Sequence, residues 1–486
     1  MPIPQTTLAE AQAVAATARR PDWIDDLEEL VGKEFVSTSF PDRLAAARDR
    51  WPVANFSFRE GRLPRGFPSA VVRPGTAEEV GAIVEVANKH RVAVVPYGAG
   101  SGVLGGAVPL GGELCVDLKR LDRILEVDSF NGTVTVEAGI NGGALEAALR
   151  KHGLTTGHYP QSLNMSTVGG WVACRGAGQA SSRYGKIEDI VLGLSVVLPT
   201  GERLVVRPVP RRSVGPSLAD LFVGSEGTLG IITSVTLRVW SRPEVELGSV
   251  LAFPDHEAGL DALRRIMQAE LRPAIARLYD AAESAERAHE AAGFAPGQAV
   301  CFFVFSGPAK LAETERQLAL EICAQAGGRE IDRGPLDRWL SERFRSYSAV
   351  HISSGSFMDT IEIAAPWRAL PEMHRRMSAA VKALHPEMHF GTHWSHVYPD
   401  GACQYMTLRF PAMPFEDASR LHHRMWAEVM KLCLDLGGSV SHHHGSGLFR
   451  NEWLVEELNE GHRLLQKLKD AIDPNHLMNP GKLALQ

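Results

Sequence analysis

The chain has 486 residues, 44% hydrophobic and 22% charged, a balance ordinary for a globular enzyme and enough for two to four domains at ~100–200 residues each. A formal net charge of -6 speaks against nucleic acid as the main partner, so an anionic substrate must be held locally by Arg, Lys or His. Six scattered cysteines without C-x-x-C spacing argue against a disulfide framework. No apolar export core opens the chain, and no stretch reaches the ~18 apolar residues of a membrane span. The expected location is cytoplasmic, with peripheral membrane association left open.

Residues 1–60 read as a helical lead-in, with Trp23, Leu27, Leu30 and Val31 at helical spacing. Thr76 and Glu79 form a T-x-x-E capping box ahead of Val80, Ile83, Val84 and Ala87, which share one helical face. Residues 92–95 read as a short apolar strand running into Pro96 and a glycine loop, and ELCVDL reads as another strand. RILEVD and TVTVEA flank SFNG as a hairpin around Asn131-Gly132, and Asn141 caps the next helix. DIVLGLSVVLPTGE and TSVTLRVW add strands. From about Ser241, long helices alternate with the strands CFFVFS, DTIEIAA and CQYMTLRF, the pattern of a second α+β unit. The last long segment, EWLVEELNEGHRLLQKLKDAI, reads as a helix stopped at Asp473-Pro474.

The loop YGAGSGVLGG contains G-x-G-x-x-G at Gly100, Gly102 and Gly105, with Asp117 and Asp122 about 20 residues on. A dinucleotide site needs a helix to open there, yet VLGGAVPLGGEL holds four glycines and Pro109. Glycine costs about 1 kcal/mol and proline about 3 kcal/mol per helical position, so the NAD reading fails. Consecutive glycines after a strand still let backbone N–H groups converge on an anion. SLNMSTVGGWVACRGAGQ and VGSEGTLGII are two more small-residue stretches, and three such stretches suit a long polyphosphate cofactor.

In this order VVPYGAGSGVLGG, STVGGWVACRGAGQASSRYGKIEDIV and GSEGTLGIIT, with the closing IDPNHLMNPGKL, resemble the vanillyl-alcohol oxidase / p-cresol methylhydroxylase (PCMH) superfamily from about Pro52 onward. The resemblance implies an α+β fold in four parts. After the lead-in come a PCMH-type two-subdomain FAD-binding domain at 61–242 and an α+β cap (substrate) domain with an antiparallel sheet at 243–438. A C-terminal segment at 439–486 sends its helix back to the FAD domain and closes the active site. It implies that Tyr97, Gly98, Ala99, Gly100, Ser101, Gly102 and Val103 cradle the FAD pyrophosphate. Gln161, Ser162, Leu163, Asn164, Met165, Ser166 and Thr167 would line the cofactor further along. So would Cys174, Arg175, Gly176 and Ala177, and then Glu226, Gly227, Thr228, Leu229, Gly230, Ile231 and Ile232. Some relatives attach FAD to a histidine of the glycine loop; this loop has none, so FAD is expected to be non-covalent.

Two strings concern the catalytic face. In VSHHHGSG, His442, His443 and His444 lack zinc spacing, and an extended backbone would turn His443 away from the other two. In CQYMTLRF, Met406, Leu408 and Phe410 share one strand face, so Tyr405 is expected on the other, away from the apolar packing. The superfamily's 2-hydroxy-acid dehydrogenases carry H-x-G-D-G-N-x-H and G-E-H-G. Here His396 and DGA keep half of the first, Gln404 or Tyr405 replaces its second histidine, and His443 replaces the glutamate, so no metal site is expected.

TGHYPQSL, STVGGWV, SHVYPDGACQY and SHHHGSG resemble instead the alkylglycerone-phosphate synthases (alkyl-dihydroxyacetonephosphate synthases). These exchange the acyl chain of acyl-dihydroxyacetone phosphate for a fatty alcohol in ether lipid synthesis, through a flavin N5 adduct and without net redox. The resemblance implies Tyr405 as general acid/base, its pKa lowered from about 10 by His442, His443 and His444. It implies Arg277, in PAIARLYD, as the phosphate ligand. The chain departs from the synthases in GAGSG for GGGTS, in TLRF for a more aromatic run, and in having no organelle-targeting extension. The expected partner is a small or lipid-like, phosphate-bearing molecule, and the expected assembly a homodimer. The alternative is an FAD-linked oxidase or dehydrogenase of a 2-hydroxy acid (D-lactate or glycolate type) or an alcohol. A flavin-free binding protein is opposed by the intact glycine stretches.

Overall fold

The computed structural model describes residues 5–17, 20–64, 66–345 and 357–486. In the lead-in, the helix Trp23–Val31 buries Trp23, Ile24, Leu27 and Val31 on one side. The helix Ala77–His90 starts where Thr76 Oγ1 accepts the Glu79 N–H at 3.1 Å, while the Glu79 carboxylate accepts the Gly75 N–H at 2.6 Å. The capping box therefore closes one residue earlier than the motif predicts. Val80, Ile83 and Val84 are fully buried, each contributing about 1.5–3 kcal/mol.

Four strands form the first sheet: β1 (Val36–Ser37), β2 (Ala70–Val72), β3 (Val94–Tyr97) and β4 (Leu114–Asp117), in the order β1-β2-β4-β3. β4 runs parallel to β2 and to β3, and β4 is buried along its whole length, as parallel strands are. The strand after residue 92 starts two residues later than expected and continues through Pro96 to Tyr97. The second sheet is antiparallel, in the order β8-β7-β9-β6-β5, from β5 (Ile124–Asp128), β6 (Thr133–Glu137), β7 (Val191–Val197), β8 (Arg203–Val206) and β9 (Ile231–Arg238). In its hairpin turn the Asp128 carboxylate accepts the N–H groups of Phe130 and Asn131, and Gly132 takes φ 66°.

The third sheet is also antiparallel. Its strands are β10 (Val245–Phe253), β11 (Ile275–Tyr279), β12 (Ala299–Gly307), β13 (Arg329–Glu330), β14 (Phe357–Pro366), β15 (His389–Val397) and β16 (Gly401–Phe410), in the order β13-β10-β12-β11-β15-β16-β14. One face packs on the helices His256–Gln268, Ala309–Gln325, Leu370–Leu384 and Phe415–Asp435 through Leu278, Phe303, Ile361, Ile363, Trp394, Met406 and Leu408. Alternation along the strands leaves Tyr279, His393, Tyr405 and Glu362 on the opposite face. That disposition of Tyr405 is the one its strand pattern predicts.

The C-terminal segment departs from a single helix. Asn459, at φ 47° and ψ -118°, breaks it into Asn451–Leu458 and Glu460–Ile472. The chain then returns to the first sheet. Val94 bridges to Met478, Lys469 Nζ donates to the carbonyls of Thr228 (2.9 Å) and Met478 (2.8 Å), and Lys482 Nζ donates to the Val108 carbonyl (2.6 Å).

Candidate active site

Four strands of the third sheet build a polar row. In register, Glu362 of β14 stands opposite Tyr405 of β16, Tyr405 opposite His393 of β15, and His393 opposite Tyr279 of β11. The His393 and Tyr405 rings stack with centroids 4.7 Å apart, and His393 lies 5.7 Å from Tyr279. Arg277 sits one pleat along β11 on the same face, its Nε donating to the Tyr279 hydroxyl at 2.7 Å. Among the described residues no carboxylate pairs with Arg277. Its charge acts on Tyr405, His393 and His396.

Glu362, fully buried, gathers the histidine loop. Its carboxylate accepts the backbone N–H groups of His442, His443 (3.2 Å) and His444 (3.0 Å), and pairs with the buried Arg450 at 2.6 Å. Three successive N–H groups converging on one carboxylate curl the backbone into an anion-binding nest. The loop is therefore not extended, and the three rings cluster instead of alternating as an extended backbone would make them. His442 Nδ1 and His443 Nδ1 lie 2.9 Å apart, and the His443 and His444 centroids are 4.5 Å apart. Tyr405 faces this cluster, 6.0 Å from the His443 centroid and 5.5 Å from that of His444. His396, at φ 51° beside a β-bulge, brings its ring 4.9 Å from His443.

The electrostatics reverse one expectation. Burial pushes the Tyr405 hydroxyl up to about 12, against the opposing pull of a Thr360 hydrogen bond and the Arg277 charge. The histidines do not depress it, because burial keeps His442 and His443 well below their ordinary value and His444 below it. Tyr405 is therefore loaded with its proton at neutral pH, next to neutral imidazoles. Glu362 behaves oppositely. Burial is the largest single influence and works to raise it, but the charge and hydrogen bond of Arg450, together with His444 and His442, outweigh burial and hold the carboxyl well below the usual carboxylate range.

Glu362, Cys403, His442 and His443 each bring one ligating atom to within 4.8 Å of the others. The Glu362 charge is already balanced by Arg450 and the three N–H groups, which leaves little to draw a cation.

The glycine loop offers a fit for a diphosphate. The backbone N–H groups of Gly98, Ala99, Gly100, Ser101, Gly102 and Val103 have no hydrogen-bond partner among the described residues, in a loop that is mostly half-buried. Gly100 takes φ 60°, and a Cβ there would sit 2.1 Å from the Tyr97 hydroxyl. A Cβ on Gly98 would meet Thr167 Oγ1 at 2.5 Å, so the first loop packs directly on the second. His158 is buried with neither ring nitrogen partnered among the described residues, its ring 4.8 Å from Trp171. Buried polar atoms without a partner are rare, and a ligand satisfies them. Glu146 fixes this stretch by accepting the Thr155 hydroxyl (2.9 Å) and the Thr156 N–H (2.9 Å).

Other members of the expected lining are spoken for. The Glu226 carboxylate accepts the N–H groups of Ser446 (2.6 Å) and Gly447 (2.8 Å), tying the histidine loop from the other side. Ser166 Oγ bonds Trp171 Nε1 (2.7 Å) and the Ser162 carbonyl. Leu163, Leu229, Ile231 and Ile232 bury their side chains in the protein cores. Arg175 pairs with Glu188 at 3.3 Å. Apart from Arg175, whose side chain is exposed, these residues have only the main chain left to meet a cofactor. Gln161, Asn164 and Met165 remain accessible, as does Cys174 in part, while Gly176, Ala177, Gly227, Thr228 and Gly230 are buried.

Residues 68–207 match the FAD binding domain family, and residues 242–483 match the C-terminal domain of the FAD linked oxidases. The chain is 30% identical over 476 residues to an uncharacterised FAD-linked oxidoreductase, YgcU, of Escherichia coli, covering 95% of this chain and 97% of that one. It belongs to the FAD-linked oxidase family. The flavoenzyme is also 29% identical to an alkyldihydroxyacetonephosphate synthase of Caenorhabditis elegans (94% of this chain, 83% of that one). It is 29% identical to a probable mitochondrial D-lactate dehydrogenase of Danio rerio (86% and 84%). Among solved structures, an alkyldihydroxyacetonephosphate synthase superposes with a TM-score of 0.82 at 24% identity, covering 96% of this chain and 86% of that one. p-Cresol methylhydroxylase superposes with 0.77 at 16% identity, covering 99% and 98%. The cofactor of this flavoenzyme is FAD. Among the described residues no helix is long and apolar enough to cross a membrane.

The sequence motifs marked Tyr405, Arg277 and the three histidines but missed Glu362, Arg450 and His158. Glu362 stood in plain view as the lone carboxylate within IEIAA, an apolar run where a charge needs a buried partner.

Proposed function

We propose that this flavoenzyme exchanges the acyl group of an acyl-dihydroxyacetone phosphate for a fatty alcohol, as alkyldihydroxyacetonephosphate synthases do. Residues 61–242 hold the cofactor, residues 243–438 cap it, and residues 439–486 close the site. The FAD is non-covalent, since the glycine loop offers no histidine. When bound, FAD supplies an isoalloxazine ring able to accept and return an electron pair at the substrate carbon. Residues 98–103 take its diphosphate through their uncommitted N–H groups.

The observation that carries the reading is Tyr405, proton-loaded and flanked by neutral imidazoles, on the same sheet face as Arg277, a cation with no carboxylate partner among the described residues. Arg277 takes the substrate phosphate by charge-assisted hydrogen bonds. Tyr405 Oη gives its proton to the departing carboxylate oxygen and regains one from the hydroxyl of the entering alcohol. Over a full turnover these two transfers balance. The Arg277 charge stabilises the phenolate between the two transfers.

A second reading rests on the same neutral histidines and on the likeness to a D-lactate dehydrogenase. In it a histidine takes the hydroxyl proton of a 2-hydroxy acid and Arg277 holds its carboxylate. Incubation with acyl-dihydroxyacetone phosphate and a long-chain alcohol, followed by mass spectrometry, tests the first reading. An ether-linked product and free fatty acid are expected. Their absence, together with oxidation of a 2-hydroxy acid by the same preparation, favours the second.

A further inference from the structure

A cleft of about 950 Å³ opens on the outer side of the molecule, and its wall includes Ser181, Leu192, Arg238, Arg272 and Tyr398. Two of these wall residues touch the back of the histidine cluster. The Tyr398 hydroxyl lies 2.9 Å from His442 Nε2, and Ser181 Oγ lies 2.7 Å from His396 Nδ1. Ser181 also engages the Tyr398 hydroxyl. Tyr398 is fixed from behind: its N–H bonds the Gly401 carbonyl at 2.8 Å, and its carbonyl accepts Trp367 Nε1 at 3.1 Å. His442 is 8% exposed, so the phenol bridges it to the open cleft.

From these contacts we infer that His442 and Tyr398 form a proton relay between the Tyr405 face and solvent in the cleft. This rests on the reading of Tyr405 as the acid/base. The relay starts at His443, whose ring flanks Tyr405 and whose Nδ1 lies 2.9 Å from His442 Nδ1. A proton taken up at His443 Nε2 from the Tyr405 face lets the Nδ1 proton of His443 pass to His442 Nδ1. The Nε2 proton of His442 passes to Tyr398 Oη, and the Tyr398 proton leaves through the Ser181 hydroxyl, which gives up its own proton to water. One proton enters, one leaves, and each group ends neutral, with the hydrogens on His442 and Tyr398 exchanged in position. No group on the path holds the charge for long. Burial disfavours a cationic His442, and Lys186, whose Nζ donates to the His442 carbonyl at 2.6 Å, disfavours it further. The wall of the cleft is charged and polar enough to keep water there.

The test uses FAD-loaded protein labelled with 15N-histidine. Solvent exchange of the His442 and His443 ring protons is measured by NMR in the parent and in Tyr398→Phe, which keeps the ring and loses the hydroxyl. Exchange at least tenfold slower in the variant is expected, at unchanged Tm and unchanged flavin absorbance. Exchange at the parental rate overturns the relay. If Tyr398→Phe fails to load FAD, Ser181→Ala is measured in the same way, and parental exchange there overturns it as well. Turnover with acyl-dihydroxyacetone phosphate and a long-chain alcohol is read in parallel. A roughly tenfold loss with a larger solvent isotope effect is expected for Tyr398→Phe. A parent inactive on these substrates refutes the proposed function, while the exchange measurement still decides the relay.

Discussion

Tyr405 owes its place to one alternation of a strand. Its neighbours Met406 and Leu408 go into the helix-packed core, and Tyr405 is turned toward His393, His443 and His444. Removing its hydroxyl leaves the packing and the cofactor loops intact. Tyr405→Phe should lose ~10²–10⁴-fold in turnover, the usual yield of a positioned acid/base, with the flavin spectrum unchanged. Steady-state kinetics alongside absorbance decide this, and full activity removes Tyr405 from the chemistry. Arg277 is a cation with no carboxylate among the described residues. Arg277→Ala should weaken a phosphate-bearing ligand by about 1.5–3 kcal/mol, roughly ten- to a hundredfold in Kd. Titration with dihydroxyacetone phosphate, and with a ligand lacking the phosphate as control, separates that loss from general damage. Equal loss for both ligands contradicts the phosphate role.

The histidine loop takes its shape from carboxylates far away in sequence, and this explains what could and could not be read from residues alone. Periodicity located the helix Ala77–His90, the β5–β6 hairpin and the two faces of β16, because each is a local pattern. It could not shape residues 442–444, where an extended backbone would have turned His443 away from the other two. The competing interaction is Glu362, some eighty residues earlier, collecting three N–H groups. The same kind of long-range fact moved Tyr405 up instead of down: burial by packed elements outweighs the rings beside it. The break at Asn459 was invisible for a different reason, since a helix-forming composition continues on both sides of it. Replacing the clamp tests the element. Glu362→Gln keeps the side-chain shape but leaves Arg450 buried without its counter-charge, a loss of about 3–5 kcal/mol. The expected result is a lower Tm and lost turnover in protein that still binds FAD. Parental turnover means that the loop is held by other contacts.

Across the whole molecule, the C-terminal segment fastens the histidine loop and the glycine loop to the same frame. Asn479 Nδ2 donates to the Gly106 carbonyl at 3.0 Å and also to that of Glu226, whose side chain holds Ser446 and Gly447. The molecule also buries several imidazoles as neutral rings, among them His158, His393, His396, His442 and His443. Burial is the first cause of the depression in every case. Below about pH 6.5 the unfolded chain takes up protons at these positions and the folded chain does not, so stability falls as pH falls. Each such ring costs up to ~1.4 kcal/mol per pH unit in that range. The Tm of the holoenzyme should drop steeply between pH 7 and pH 5. A flat profile means that the rings are protonated in the fold.

The central claim is that this sheet face and its flavin perform an exchange without net oxidation. Anaerobic reaction with acyl-dihydroxyacetone phosphate and a long-chain alcohol, with a dye acceptor present, measures it most directly. Fatty acid release matched by ether product, with the dye left oxidised, is the predicted result. Dye reduction in proportion to substrate consumed contradicts it.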